Sequence, residues 1–466
     1  MSKRTLLLGL VAVLAYRSPG VAAEPAGGVA AEGATGRPNI IVIVADDLGY
    51  GEIIAGPRAV PMPHVQSIAQ NGVTFTNGYV TCPVCSPTRA GLLTGRYQQR
   101  FGHEFNPGPA NSAEENFGLP LDQVTLADRL KKLGYATGMV GKWHLGYRPE
   151  FHPLKRGFDE YFGFLGGAHS YVDSAADAAN KILRGTESVE EKGYLTDAFG
   201  REAVAFIDRH KAQPFFLYLT FNAVHAPLEA TEKYRERFTD IGDERRRTYA
   251  AMQSAMDDNV GAVLAKLRDD KIEDHTLVVF IADNGGPTPR TTSSNGPLHG
   301  YKSQVWEGGT RVPYLVQWKS KLPAGKTYEL PVSSLDIVPT CVVAAGGSIS
   351  ADDRLDGVDL APYLTGQNSA RPHETLFWRF GQQWAVRQGD YKLLQPNDGP
   401  VQLFDLAADI GEQHDLAAAK PEVRNQLEAS YAKWNAELTE PRWKGRRAGA
   451  GRANANRVKA RAKKGG

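Results

Sequence analysis

The chain has 466 residues, of which 42% are hydrophobic and 23% charged, the proportions of a globular enzyme large enough for two packed units. Three cysteines exclude a disulfide-built scaffold, and after the N-terminus no apolar run reaches the length of a membrane helix, so no integral membrane segment is expected. The formal charge of +2 is uneven: residues 441–466 hold ten Lys/Arg and no Asp/Glu, which leaves about −11 on the body once the N-terminal basic residues are also set aside.

Lys3 and Arg4 precede an apolar run over 6–15, then a polar stretch and Val21-Ala22-Ala23. This order predicts a signal peptide over 1–23, cleaved after Ala23, and export to the periplasm or the extracellular space. The Ala/Gly-rich residues 24–36 read as a disordered lead-in.

The first structured element is a β-branched apolar run at Asn39–Ala45, the pattern of a strand buried on both faces. It runs into Asp46-Asp47-Leu48-Gly49-Tyr50-Gly51, and ligands of open α/β sheets bind just beyond strand C-termini. Thr125 caps a predicted helix with Leu126, Leu130 and Leu133 inward and Gly134 as its stop. A strand over 136–140 leads to Gly141-Lys142-Trp143-His144. A helix over 197–211 precedes a strand over 215–221, which leads to Asn222 and His225. A helix over 246–268 precedes the strand Thr276–Ala282, which leads to Asp283-Asn284-Gly285-Gly286. Strands alternating with helices predict an α/β fold, a large mostly parallel sheet sandwiched by helices, over residues 37–346. Polar motifs follow four of its strands. From 347 to 440 the pattern changes to short strands over 374–380, 384–388, 391–395 and 401–406, then a helix over 421–438 opened by Pro421. This predicts a smaller C-terminal subdomain of antiparallel sheet plus helix. The basic residues 441–466 read as a disordered tail, either simply solvated or able to touch polyanions.

The segment Cys82-Pro83-Val84-Cys85-Ser86-Pro87-Thr88-Arg89 is the richest in chemistry. Ser86-Pro87 is a helix opening, which places Cys85 at a helix N-terminus that favours anions. Arg89 lies one turn on. A thiol there is expected to be acidified and reactive. Cys82 and Cys85 alone fit three readings: a redox dithiol, an inert pair or a disulfide. Asp46, Asp47, Asp283 and Asn284 offer oxygen donors only, a set suited to Ca²⁺ or Mg²⁺ rather than zinc.

Cys-x-Pro-x-Arg followed by Leu93-Thr94-Gly95-Arg96 resembles the signature of the type I, formylglycine-dependent sulfatases of the alkaline-phosphatase superfamily. Thr88 stands where Ser is commoner. The resemblance extends through the Asp46-Asp47 loop, where Glu52 replaces a frequent Asp, through Lys142-Trp143-His144 and Asp283-Asn284, and through Trp306-Glu307-Gly308-Gly309-Thr310-Arg311 to Leu403-Phe404-Asp405-Leu406. It spans residues 38–438.

The resemblance implies hydrolysis of a sulfate monoester, most readily on a sulfated carbohydrate. It implies one Ca²⁺ per chain at Asp46, Asp47, Asp283 and Asn284, with Cys85 completing the shell after a maturation enzyme converts it to formylglycine (3-oxoalanine). One hydroxyl of the hydrated aldehyde attacks sulfur, and the other loses its proton so that sulfate is expelled. Arg89 then holds this diol, Lys142 clamps sulfate, His144 takes the proton, and His225 with Lys302 faces the leaving group, His225 as general acid. His103 and Asn106 fit either a pocket lining or a structural loop, and His299 either substrate contact or plain surface. A phosphonate or phosphodiester hydrolase with the same modified residue, a non-catalytic glycan-binding protein and a thiol oxidoreductase are the alternatives. No nucleic-acid partner is expected.

Overall fold

Asn39–Ala45 is the strand that organises the molecule: all seven residues are buried, as a run of Ile and Val flanked by parallel neighbours requires. In this computed structural model the described residues are 36–55, 60–109, 115–397 and 399–445. The expected signal peptide, the lead-in to residue 35 and the tail from residue 446 lie outside them.

Asn39–Ala45 pairs in parallel with Thr276–Ala282 on one side and with Phe215–Thr220 on the other. Phe215–Thr220 pairs in parallel with Ala136–Lys142, and that strand with Glu160–Phe164. These five strands are the middle of a ten-stranded sheet. One flank adds the antiparallel Tyr314–Gln317, then Val73–Phe75 and Lys326–Tyr328; the other adds the short antiparallel Leu183–Arg184 and Glu187–Ser188. The expected large, mostly parallel sheet is therefore present, with antiparallel strands at its flanks.

The register makes the site. Ala45 lies opposite Ala282 and Val44 opposite Thr220, while Gly141 also pairs with Thr220. Four neighbouring parallel strands thus end at one edge, and the residues that follow them are Asp46-Asp47, Asp283-Asn284, the segment with His225, and the segment with His144.

Helices cover the sheet. Leu126–Lys132 is capped by Thr125 in a reciprocal capping box with Asp128. Leu195–His210 packs against Glu244–Asp269, the latter capped by Asp243. The C-terminal strands Thr375–Phe380, Gln383–Gln388, Tyr391–Gln395 and Gln402–Asp405 form an antiparallel meander. The final helix, Pro421–Asn435, stops three residues before the expected end.

The meander shares a core with the large sheet's side of the molecule: Trp378 packs against Tyr79 with the rings tilted by 58°, and its indole donates to the carbonyl of Val80 at 2.7 Å. Beneath lies a buried ion cluster. Lys392 sits 2.8 Å from Glu307 and 2.9 Å from Glu412. Trp443 is buried against His103 and Phe117, and the Arg442 backbone donates to Gly102, because an indole has too much apolar surface to leave in water when a groove is available.

Candidate active site

The helix Cys85–Thr94 begins at Cys85 itself, with Val84 as an extended N-cap, and all ten of its residues are buried. Pro87 falls in the first turn, where backbone N–H groups have no helical acceptor. Ser86 locks this start in place. Its backbone N–H donates to Asn106 Oδ1 at 3.0 Å, and its hydroxyl donates to the His144 carbonyl at 2.6 Å while lying 2.7 Å from His103 Nε2. Thr88 adds a bond to the Cys82 carbonyl at 2.7 Å.

Cys85 Sγ lies 3.6 Å from Asp46 Oδ1 and 3.2 Å from Lys302 Nζ. Arg89 donates from Nε and Nη2 to Asp283 Oδ2 at 3.0 and 2.7 Å and from Nη1 to the Lys142 carbonyl at 2.9 Å. Lys142 Nζ reaches Asp46 Oδ2 at 2.5 Å, and Lys302 Nζ reaches Asp47 Oδ1 at 2.5 Å. His225 Nε2 stands 3.7 Å from Asp47 Oδ2. The residues singled out from the sequence therefore converge on one centre.

Backbone geometry aims several of them. Asp47 and His144 have φ of 64° and 59°, in the left-handed region that non-glycine residues rarely enter and that is common at functional sites. The strand runs two residues past its expected end, so that Lys142 is its last residue, and the left-handed turn brings His144 around to the cleft. Gly141 is needed here: a Cβ would stand 1.9 Å from the Thr220 carbonyl oxygen, so no larger residue lets the two strands close at this point.

Asp46, Asp47, Cys85 and His225 offer donor atoms all within 4.8 Å of one another. Asn284 Nδ2 donates to Asp47 Oδ1 at 2.7 Å and to the Gly285 carbonyl, while its buried Oδ1 has no hydrogen-bond partner. An orphaned buried amide oxygen beside two carboxylates is the donor set a hard cation satisfies. Asp283 is more committed, with Oδ1 accepting from the Asp47 backbone at 3.2 Å and Oδ2 taken by Arg89.

The electrostatics are those of charges packed out of water. Burial and the neighbouring Asp283 push Asp46 up to about 7, against the pull of Lys142. Burial opposes ionisation of Asp47 too, but Lys302, by charge and hydrogen bond, holds it below the usual carboxylate range. Burial and then the cations around it drive His144 far below its ordinary value, and burial takes His225 down to about 3, so both imidazoles are neutral. His225 Nδ1 lies 2.5 Å from the Ala226 carbonyl. A carbonyl only accepts, so Nδ1 carries the proton and Nε2 faces the site bare.

One expectation is reversed. Burial and Asp283 push the Cys85 thiol up to about 12, so the helix N-terminus does not make it a thiolate. Cys82 and Cys85 are both buried and unpaired, which gives the dithiol reading no support.

Cys85, His144 and His225 open into a cleft of about 460 Å³. Asn106 lines it as well as holding Ser86, whereas His103 is buried under the helix start. His299 is exposed, with its ring stacked on Trp306 at a centroid distance of 4.2 Å. Glu52 is buried and accepts two bonds from Arg246 and one from the Ser294 backbone, so it braces the loop before Lys302. Sequence reasoning missed Tyr171, whose hydroxyl lies 2.5 Å from the Asn222 carbonyl and 2.8 Å from that of His225. It also missed Gln383, which grips the Lys302 loop from the C-terminal sheet.

An open, mostly parallel sheet whose strand ends gather a helix-borne Cys, carboxylates and cations defines a hydrolase of the alkaline-phosphatase type. The family model described as Sulfatase matches residues 38–347. N-acetylgalactosamine-6-sulfatase of Sus scrofa is 36% identical over 390 residues, 79% of this chain and 73% of that protein. Arylsulfatase A of Bos taurus is 33% identical over 500 residues, 93% of this chain and 92% of that protein. The crystal structure of Ps i-CgsB in complex with k-i-k-neocarrahexaose has a TM-score of 0.84 at 35% identity and covers 91% of this chain and 98% of its own. The chain belongs to the sulfatase family and is a sulfuric ester hydrolase.

Proposed function

We propose that this protein removes sulfate from saccharides with a nucleophile made by converting Cys85 to formylglycine, beside a Ca²⁺ held by Asp46, Asp47, Asp283, Asn284 and residue 85. The carrying observation is the position of Cys85 Sγ, 3.2 Å from Lys302 Nζ and 3.6 Å from Asp46 Oδ1 at the head of a buried helix. Formylglycine at residue 85, once hydrated, would supply one hydroxyl able to displace the sugar alcohol from sulfur and a second whose loss of a proton would let the carbon return to the aldehyde as its C–O bond to sulfate breaks. Ca²⁺ supplies a Lewis acid that draws charge from the sulfate oxygens.

The chain's own groups do the rest. Asp46, Asp47 and Asp283 are matched by Arg89, Lys142 and Lys302; a divalent cation added to that balance gives the net positive charge that a sulfate-ester anion needs. Arg89, fixed by Asp283, holds residue 85 in place. Lys142 clamps the sulfuryl oxygens. His144 is neutral, and its buried Nδ1 has no partner, the state in which an imidazole accepts a proton. At the leaving group, Lys302 already carries a proton, while His225 presents a bare Nε2 and serves as the acid only after taking one up.

A saccharide substrate is supported by the relatives named for a sugar sulfate and by the neighbour solved with a carrahexaose. Because residues 85–94 are buried, the maturation enzyme has to act before the chain closes. Export to the periplasm or extracellular space fits the N-terminal leader pattern and the burial of Cys82 and Cys341, which shields both thiols from oxidation. The basic tail is a candidate contact for polyanions. Turnover of an aryl sulfate against a phosphodiester of the same phenol tests the reading. The sulfate should react faster; faster phosphodiester cleavage favours the phosphonate and phosphodiester branch, and no turnover by matured protein favours a glycan-binding role.

A further inference from the structure

The wall of the cleft opposite the Cys85 helix comes from the segment after Glu160–Phe164, the strand that neighbours Ala136–Lys142. This segment is seated directly on the catalytic group proposed at His144: a Cβ at Gly167 would stand 2.6 Å from His144 Nε2. Asn180 pins it, accepting from the Gly166 backbone at 2.8 Å and donating to the Ala168 carbonyl at 2.9 Å, and is itself buried. Asp177 closes the turn through Oδ1, which accepts from the Ala179 backbone at 3.1 Å. The wall is therefore fixed relative to His144 at Gly166, Ala168 and Asn180, with the exposed Asp177 at its rim.

Its charge is one-sided. Beyond Cys85 and the two histidines, the described cleft lining is Asn106, Pro107, Gly108, Pro109 and Tyr147, with Gly167, Ala168, Asp177, Ala179 and Asn180 from this segment; among these only Asp177 is an acidic side chain, and none is Lys or Arg. Tyr147 stands beside it: burial and then the Asp177 carboxylate push its phenol up to about 12. The cations that neutralise a sulfate, Arg89, Lys142 and Lys302, are all committed to the aspartates at the cleft floor.

We infer that Asp177 is a specificity-determining residue that selects a sugar ring carrying the scissile sulfate as its only anionic group, with hydroxyls presented to the wall. The carboxylate accepts hydrogen bonds from a sugar hydroxyl, and Tyr147 offers an apolar ring edge beside it. A second sulfate or a carboxylate on that same ring meets a like charge at the wall, whose described lining offers no Lys or Arg to offset it. This inference rests on the saccharide sulfatase reading and names the substrate class for that site.

The experiment compares kcat/KM for a monosulfated hexose glycoside and for the same glycoside bearing a second sulfate on the same ring. It uses wild type, Asp177→Asn and Asp177→Lys, with wild-type turnover of an aryl sulfate as reference. Wild type should prefer the monosulfated sugar by about tenfold or more, a ratio Asp177→Asn narrows and Asp177→Lys narrows further or inverts. A wild type that takes both sugars equally well, or a ratio that none of the substitutions moves, overturns the role of Asp177 while leaving the sulfatase reading intact. Failure of wild type on every sulfate ester, aryl sulfate included, overturns both.

Discussion

Gln383 holds both sides of the turn that follows Lys302: its Nε2 donates to the Ser303 carbonyl at 2.9 Å, and its Oε1 accepts from the Val305 backbone at 3.4 Å. Ser303 has a φ of 73°, and its own N–H donates to the Pro83 carbonyl two residues before Cys85. A residue of the C-terminal sheet thereby fixes the distance between Lys302 and the nucleophile. Replacing it with Leu keeps the volume and removes both bonds. We expect kcat to fall by about ten- to a hundredfold, most steeply for leaving groups of high pKa, since a displaced Lys302 no longer meets the charge that develops there. Rates for a series of aryl sulfates check this. An equal loss across the series would show that Gln383 supports the fold alone.

Asp283 receives two bonds from Arg89 and lies beside the orphaned Asn284 oxygen. Asp283→Asn should abolish measurable turnover and weaken cation binding. Chelation of the unsubstituted protein should lower its melting temperature, with recovery on adding Ca²⁺, because a ligand that binds only the folded state stabilises it. Melting curves with and without chelator check this, and unchanged melting in both removes the metal assignment.

Lys392 lies fully buried between Glu307 and Glu412. Burial, offset by Lys392 and reinforced by Glu307, pushes Glu412 up to about 7. Lys392→Met leaves two acids under the interface with one buried cation fewer. A loss of about 3 to 5 kcal/mol is expected, the usual effect of breaking a buried pair from one side. Denaturant unfolding measures it; a change below about 1 kcal/mol, the scale of a surface pair, contradicts the role.

His373 Nε2 sits 2.7 Å from Asp336 Oδ1, and the pair is almost wholly buried. Burial works against the imidazolium, but Asp336 outweighs it and raises the His373 pKa above its ordinary value. A raised folded-state pKa means the contribution is fully present below the unfolded value of about 6.5 and is lost as pH rises through the higher folded value. His373→Gln should therefore cost about 1 to 2 kcal/mol at pH 6 and clearly less at pH 9. Unfolding at the two pH values checks it, and equal losses at both contradict the charged pair.

The central strands and the site were legible because their signals are local. Asn39–Ala45 is a β-branched run followed by two aspartates, and Cys85 to Arg89 lies within one helical turn. The flanking strands Val73–Phe75, Tyr314–Gln317 and Lys326–Tyr328 are short and pair across long sequence separations, so no window of sequence announces them. Gln383 and Tyr171 act through backbone carbonyls and amides far away in the chain, a role that leaves no mark on neighbouring residue types. The state of Cys85 failed for a different reason: the helix start was visible, but the burial and the Asp283 charge that outweigh it arise only from packing. Trp443, alone in a basic stretch, carried a hint of docking that the charge pattern around it masked.

The most direct test is the mass of the Cys85 peptide from native protein, measured alongside sulfate release from the same preparations. The account predicts a residue with its sulfur replaced by oxygen and two hydrogens fewer, and activity that rises in proportion to the converted fraction and vanishes in Cys85→Ala. Full sulfatase activity in protein whose Cys85 is entirely unmodified thiol would contradict it.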